Sequence, residues 1–268
     1  MNRKKLTILF WNINEKPLAS QIINLIQTRN IDIIILAECP LNYVTILESQ
    51  IKSFGFDLSP NEDCPKITIF SKIAHVDLRP IFSSNRMTLR LLKFNGHQVF
   101  LSALHLLSKV NTNKIQQAAE SYKYVKLIRD FEERSNNYKT IIIGDFNMNP
   151  FEEGMANYAG FNAVMTREIA RKNERVVQYH NYMYFYNPMW SLFGDLNRGV
   201  SGTHYYKDDY QWQMYDQVLI RPQLIENFEP DNLHILTTDG QVNFLKDDGK
   251  INTNITSDHL PITFSLNL

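Results

Sequence analysis

Polar residues able to do chemistry recur at one kind of place in this chain, just past the ends of apolar runs. Asn12 and Asn14 follow the segment that begins at Leu6, and Glu38 follows Ile31 to Ala37. His105 ends a later run, and Asp145 and Asn147 follow Ile141-Ile142-Ile143-Gly144. Asp216 opens a late strand-like segment, and Asp258-His259 precede the last one. These residue types fit hydrolysis of a phosphoester. A hard cation such as Mg²⁺ takes oxygen ligands and keeps waters and substrate phosphate in its shell, a role that suits Glu38. An attacking water must be oriented and lose a proton, which a carboxylate such as Asp145 provides for. The transition state gathers negative charge on phosphate oxygens, and amide donors from Asn12 and Asn147 together with a protonated imidazole stabilise it. A carboxylate beside that imidazole fixes its ring and raises its pKa, and Asp216 is the candidate partner of His259. Singly, each residue has an ordinary explanation: Gly-Asp-Phe-Asn is turn chemistry, and a glutamate after a strand is most often solvated. Turn chemistry alone does not explain why all of them fall at strand ends.

The elements that must position these residues alternate between two periods. Leu6 to Asn12, Ile31 to Ala37 and Tyr138 to Gly144 are short β-branched or apolar runs, as in strands covered on both faces. Pro17 is placed to open a helix, with Leu18, Ile22, Leu25 and Ile26 at helical spacing. A second helix is expected from about Leu41 to Phe54, ended by Gly55. Lys66 to Ser71, Arg86 to Phe94 and His97 to His105 read as consecutive strands, the last two joined by the hairpin dipeptide Asn95-Gly96. Thr112 or Asn113 is positioned to cap a long helix with Ile115, Ala118, Ala119, Tyr122, Val125, Ile128 and Phe131 inward. Strands at Tyr215 to Ile220 and Leu260 to Leu266 close the chain. Mixed βα units and hairpins do not fit an open parallel sheet; they fit two mixed sheets packed face to face with helices outside.

In that order the segments resemble the endonuclease/exonuclease/phosphatase superfamily, which includes DNase I and the exonuclease III-type repair enzymes. The resemblance runs through Ile8-Leu9-Phe10-Trp11-Asn12, Leu36-Ala37-Glu38, Ser102-Ala103-Leu104-His105, Ile143-Gly144-Asp145-Phe146-Asn147, Tyr215-Asp216-Gln217-Val218 and Ser257-Asp258-His259-Leu260-Pro261. It implies an α/β fold, a four-layer α/β/β/α sandwich of two mixed β-sheets flanked by helices, over a single domain of residues 1–268. It implies Mg²⁺ or Mn²⁺ as cofactor. By that resemblance Glu38 is the metal-binding glutamate, Asp258 an acidic residue beside the metal, and Asn12 joins them in the metal set. Asp145 orients or deprotonates the water, His259 is the catalytic histidine and Asp216 its partner. Asn12 and Asn147 hold the phosphate, and His105 is a second phosphate-contacting histidine of the DNase I-like branch. Two positions depart from the family pattern. Asn14 stands where the repair enzymes have an aspartate, leaving one carboxylate fewer near the metal. No acidic partner is visible in the sequence for His105.

Composition narrows the substrate less sharply. Of 268 residues 44% are hydrophobic and 21% charged, enough for a sizeable core, and the net charge is +0, which weakens a long-duplex binder without excluding a nuclease. Cys39 and Cys64 form no zinc pattern and are expected to be reduced, buried thiols. No apolar run reaches the length of a membrane span, the N-terminus lacks the features of a signal peptide, and nothing points to an obligate oligomer, so a cytoplasmic location is the default. Residues 166–212 form an aromatic-rich region, expected as a loop. Arg167, Arg171, Lys172 and Arg175 are followed there by Tyr179, Tyr182, Tyr184, Phe185, Tyr186 and Trp190, then His204, Tyr205, Tyr206, Tyr210 and Trp212. Cations and rings in sequence suit nucleic acid, with bases stacked on the rings, and Tyr184, Tyr186 and Trp190 are the first candidates for a wall that selects substrate. The expected activity is a Mg²⁺-dependent nuclease acting on DNA or RNA. The alternatives are a phosphatase or phosphodiesterase on a small or lipid-linked phosphate, and a catalytically inactive binding protein of the same fold.

Overall fold

Apolar residues two apart along a strand face the same side, and this chain uses that alternation to build three apolar layers. Leu6, Ile8 and Phe10 share one core with Ile33, Ile35, Leu101, Ala103, Ile141, Ile143, Val218, Ile262 and Phe264. The intervening Leu9, Trp11, Ile34 and Leu36 pack the other way, onto Ile22, Leu25, Val44 and Leu47. Phe100, Leu104, Ile142 and Leu219 pack onto Tyr124, Val125 and Ile128.

The computed structural model describes residues 5–61, 63–110, 112–194, 199–208 and 211–268. Its strands are β1 (Lys5–Asn12), β2 (Ile33–Ala37), β3 (Asp57–Ser59), β4 (Ile67–Ser71), β5 (Leu78–Ser83), β6 (Met87–Phe94), β7 (His97–His105), β8 (Thr140–Asp145), β9 (Ala163–Val164), β10 (Glu174–Val177), β11 (His180–Met183), β12 (Phe185–Tyr186), β13 (His204–Tyr206), β14 (Gln211–Gln213), β15 (Asp216–Ile220), β16 (Leu233–Ile235) and β17 (Ile262–Asn267). Its helices are α1 (Ala19–Thr28), α2 (Leu41–Ile51), α3 (Lys114–Ser135), α4 (Glu153–Ala156) and α5 (Arg167–Ala170). One sheet has the order β16-β17-β1-β2-β4-β3 and the other β5-β6-β7-β8-β15-β12-β9. Both are mixed: β1 runs parallel to β2 and antiparallel to β17, and β7 runs parallel to β8, which is antiparallel to β15. With α1 and α2 outside one sheet and α3 outside the other, this is the expected α/β/β/α sandwich. Both cysteines are free and buried, and burial pushes each thiol up to about 11.

Boundaries differ from expectation where local chemistry decides. Helix α1 begins at Ala19, because Lys16 is spent on the carbonyls of Thr253 and Thr256 and holds the Pro17 segment as a connection. Helix α2 tightens into a 3-10 turn at Lys52–Phe54 and ends at Gly55, whose φ of 86° is left-handed. Asn113 caps α3 in a reciprocal capping box with Gln116. The inner face of α3 is more polar than its apolar pattern suggests. Ile115 is exposed, while Gln117, Ser121 and Glu132 are buried. Glu132 lies inward because its carboxylate holds Arg221 Nε at 2.8 Å and Nη2 at 2.6 Å. Gln117 lies inward because its amide donates to the carbonyls of Leu107 and Asn147, tying α3 to the loop after β8.

Candidate active site

Register brings the polar strand ends together. In one sheet His105 pairs with Asp145, and Asp145 with Asp216, so three neighbouring strands deliver three functional groups side by side. In the other sheet Asn12 pairs with Ala37, which places Glu38 one residue beyond. Asp258 and His259 arrive on the segment before β17. Asn12, Glu38, His105, Asp145, Asp258 and His259 line one cleft of about 600 Å³, and Asp216 is buried behind His259.

The backbone at these ends is shaped for the purpose. Glu38 has a φ of 52°, unusual for a residue with a full side chain, and its carbonyl accepts from the Glu15 N–H at 3.0 Å. Asn147 has a φ of 51°, and its N–H donates to Asp145 Oδ1 at 2.8 Å. Gly144 is required by close approach: a Cβ there would lie 2.1 Å from the Leu104 carbonyl oxygen of the adjacent strand. The glycine lets β8 lie against β7 just before Asp145 emerges.

Side-chain geometry separates the residues into an acid–imidazole line and a donor set. Asp216 Oδ2 is 2.8 Å from His259 Nδ1. His259 Nε2 is 4.0 Å from Asp145 Oδ2, too long for a hydrogen bond, so its proton is available to a substrate oxygen. Asn12 Nδ2 donates to Asp145 Oδ2 at 3.0 Å, so both oxygens of that buried carboxylate are oriented. His105 Nε2 lies 3.3 Å from Glu38 Oε1 and 3.7 Å from Asp145 Oδ2. The expectation that His105 lacks acidic neighbours is therefore corrected. Its other nitrogen, Nδ1, is buried without a hydrogen-bond partner among the described residues.

Electrostatics follow from this packing. Burial alone would lower His259, but Asp216, Asp145 and Asp258 reverse that and raise it to about 10. Asp216 is raised by complete burial, against which the His259 imidazole acts. Burial likewise acts to raise Asp258, but His259, His204 and the Asn14 amide outweigh it and hold the carboxyl below its ordinary value.

The donor chemistry fits a hard divalent cation at one edge of the cleft. Glu38 and Asp258 offer carboxylate oxygens, and no thiolate competes. Carboxylate and imidazole ligand atoms also gather in two clusters, His204-Asp258-His259 and Asp145-Asp216-His259. The second is already satisfied as a hydrogen-bonded acid–imidazolium line, which repels a cation at its centre. Asn12 does not fit the metal set as oriented. Its Oδ1 accepts from the Asn14 N–H at 3.0 Å, and its Nδ2 faces Asp145 and, at 3.4 Å, Glu38. Donor geometry suits phosphate better than metal. Asn14 donates to Asp258 Oδ1 at 2.9 Å, so the amide that replaces an aspartate braces the remaining carboxylate.

Two residues take places that the sequence reading did not give them. His204 stacks on Tyr215 with ring centroids 5.5 Å apart and packs 4.7 Å from His259. Its Nδ1 is 3.0 Å from the Asp258 carbonyl, which only accepts, so the proton sits on Nδ1. Burial and the neighbouring His259 lower it to about 4, making it a neutral ring beside a cationic one. Lys109 Nζ sits 4.9 Å over the Tyr215 ring and pairs with Glu152. The aromatic region is corrected most. Residues 166–212 contain α5, β10 to β14 and a 3-10 turn, and are not one long loop. Tyr184, Phe185 and Tyr186 are buried, and Trp190 lies behind Phe151, so none of these lines the cleft. Arg171 pairs with Glu226, and Arg167 donates to the Phe228 carbonyl; the cleft's cations are instead Lys109 and Lys114. Tyr210 lies outside the described residues.

A model of the endonuclease/exonuclease/phosphatase family matches residues 105–267. No curated protein is matched at the sequence level. Among solved structures, ANGEL2, described as a 2',3'-cyclic phosphatase, aligns with a TM-score of 0.62 and 13% identity over 99% of this chain and 96% of that one. TDP2 of D. rerio, complexed with a single strand DNA product, aligns with a TM-score of 0.60 and 16% identity over 99% of this chain and 100% of that one. The human Nocturnin catalytic domain with bound sulfate anion aligns with a TM-score of 0.58 and 14% identity over 98% of this chain and 94% of that one. At these identities the likeness is one of fold.

Proposed function

This chain belongs to the endonuclease/exonuclease/phosphatase family, whose members hydrolyse phosphoester bonds, and from that premise we propose that it is a Mg²⁺- or Mn²⁺-dependent nuclease cleaving DNA or RNA phosphodiester bonds. The observation that carries the proposal is the line Asp216–His259–Asp145. It presents an oriented carboxylate and a cationic imidazole 4.0 Å apart across one cleft. Asp145, held by N–H donors on both oxygens, orients the attacking water and takes up its proton. His259, kept protonated by three carboxylates, donates from Nε2 to a phosphate oxygen as negative charge develops there. Asn12 Nδ2 and His105 Nε2 face the same space and supply further donors, and Asn147 fixes Asp145 through its backbone N–H. Glu38 and Asp258 would hold the divalent cation that family members typically use; when bound it offsets charge on the phosphate. Residues 1–268 are read as one domain, supported by the apolar core that both sheets share.

Nucleic acid as substrate is favoured by the cations and exposed rings along the cleft. It is also consistent with the single strand DNA product held by the D. rerio TDP2 neighbour. The likeness to ANGEL2, a 2',3'-cyclic phosphatase, keeps a phosphatase reading in view. A panel of single- and double-stranded DNA, RNA, inositol phosphates and a phosphotyrosyl–DNA conjugate, each with Mg²⁺, separates the two. Turnover of DNA or RNA is expected. Turnover of an inositol phosphate with none of either nucleic acid would replace the nuclease by a phosphatase.

A further inference from the structure

Phe151 and Tyr206 are 56% and 44% exposed, and both line the cleft that holds Asp145 and His259. Large rings left open to solvent inside a polar cleft are unusual enough to call for an occupant. Both are also held in place. Phe151 is backed by Trp190 and Phe193, with ring centroids 6.4 and 6.2 Å away. The next residue, Glu152, accepts from the Asn149 N–H at 2.9 Å and pairs with Lys109, so the Phe151 turn is clamped beside a cation.

Tyr206 is positioned by strand period. It stands two residues past His204 on β13 and so shares the face that His204 turns toward the cleft, while Tyr205 points the other way and packs 5.4 Å from Trp212. Cross-strand pairing sets Gln213 opposite His204, and it too lines the cleft. Its Oε1 accepts from Asn149, and its Nε2 has no hydrogen-bond partner among the described residues. Packed rings lead from His259 through His204 and Tyr215 to Lys109, so this half of the cleft is continuous with the reacting centre.

We propose that Phe151, Tyr206 and Gln213 form a subsite for an unpaired nucleobase next to the scissile phosphate, with Lys109 and Lys114 facing the flanking phosphates. The proposal rests on the phosphoester-hydrolase reading above and narrows its substrate to single strands or frayed strand ends. Flat rings accept any base by its π-face, and that face is covered in a duplex. The free amide of Gln213 provides a donor for a base edge, where an acyl chain would offer no acceptor. Interleaved cations and amides also fit a nucleotide better than a lipid surface.

The test is binding of a short fluorescein-labelled oligodeoxyadenylate by anisotropy, on an Asp145→Asn background so that the ligand survives. Hydrolysis of bis-p-nitrophenyl phosphate by the otherwise native enzyme reports separately on the phosphoesterase reading. Phe151→Ala and Tyr206→Ala should each weaken the single strand at least tenfold, about 1.4 kcal/mol. Phe151→Trp should restore it. A duplex of the same composition should bind more weakly than the single strand. Losses on the minimal ester should be smaller than on the oligonucleotide. If Phe151→Ala does not fold, Phe151→Leu keeps apolar bulk without the flat face and should show the same loss. Unchanged affinity in both ring variants, or equal affinity for single strand and duplex, would overturn the subsite. So would a ring-dependent affinity for phosphatidylcholine–phosphatidylserine vesicles in place of the oligonucleotide.

Discussion

His259 sits between three carboxylates, and that setting decides what it does. Held near 10, it is an imidazolium throughout the neutral range, which suits its proposed role as a donor to developing charge. Asp216→Asn removes the nearest anion but keeps the shape of the pair. The pKa of His259 then falls, and the alkaline limb of the kcat/KM pH profile should move to lower pH. A cation bound at Glu38 and Asp258 shifts the limb downward in both proteins and leaves the sign of the difference unchanged. A limb that stayed in place would separate Asp216 from the His259 proton. His259→Ala should reduce turnover at least about a hundredfold, the lower range for a positioned acid or base, with circular dichroism and melting close to those of the parent. Near-parent turnover in the folded variant would remove His259 from the chemistry. At this scale the sequence was informative about charged and amide groups, because their types and strand-end positions carry the signal. It placed His204 only among the rings of the aromatic region, whereas its significance comes from packing between Tyr215 and His259. It left Asn12 in both the phosphate-binding and the metal set, because which end of its amide faces which neighbour is set by Asp145 on another strand and by the turn to Asn14.

Elements position these groups through register and close approach. Gly144→Ala should be severe for its size: the new Cβ would meet a backbone carbonyl at 2.1 Å, so β7 and β8 must part. Displacement just before Asp145 should lower both melting temperature and activity, whereas Gly96→Ala, with open space at its Cβ, should leave activity near parent despite its left-handed φ. Parent-like melting and activity in Gly144→Ala would contradict the strand spacing described here. Strands and long helices were legible because their period is written in apolar residues, and the Asn95-Gly96 turn marked its hairpin directly. The region from 166 to 212 was not. Its strands are as short as two residues, too short to show a period, and its aromatics divide between core and cleft by pairing partners that only the fold reveals. In β13 and β14 the alternation is visible once the pairing is known. Tyr205 and Trp212 turn onto the core, His204 and Gln213 into the cleft. The polar inner face of α3 was hidden for the same reason, because Glu132 is buried only by virtue of Arg221.

For the whole molecule, a net charge of +0 means that attraction for a polyanion is local to the cleft. Substrate binding should therefore depend less steeply on salt than for a strongly basic nuclease. The described residues include no helix long and apolar enough to cross a membrane. Two sheets pressed face to face let ends from both reach one rim: Asn12 and Glu38 from one, His105, Asp145 and Asp216 from the other. Neither sheet alone carries a complete site. On the proposed reading a cation at Glu38 completes that whole, so chelation by EDTA should abolish turnover and Mg²⁺ or Mn²⁺ should restore it, and Glu38→Gln should raise the metal concentration required. The central claim is that this rim hydrolyses phosphoesters through Asp145. It is tested most directly by the single-turnover rate of bis-p-nitrophenyl phosphate hydrolysis with Mg²⁺ in the parent and in Asp145→Asn, both verified as folded. The account predicts metal-dependent hydrolysis in the parent and a loss of at least about a hundredfold in the variant; equal rates in the two proteins would contradict it.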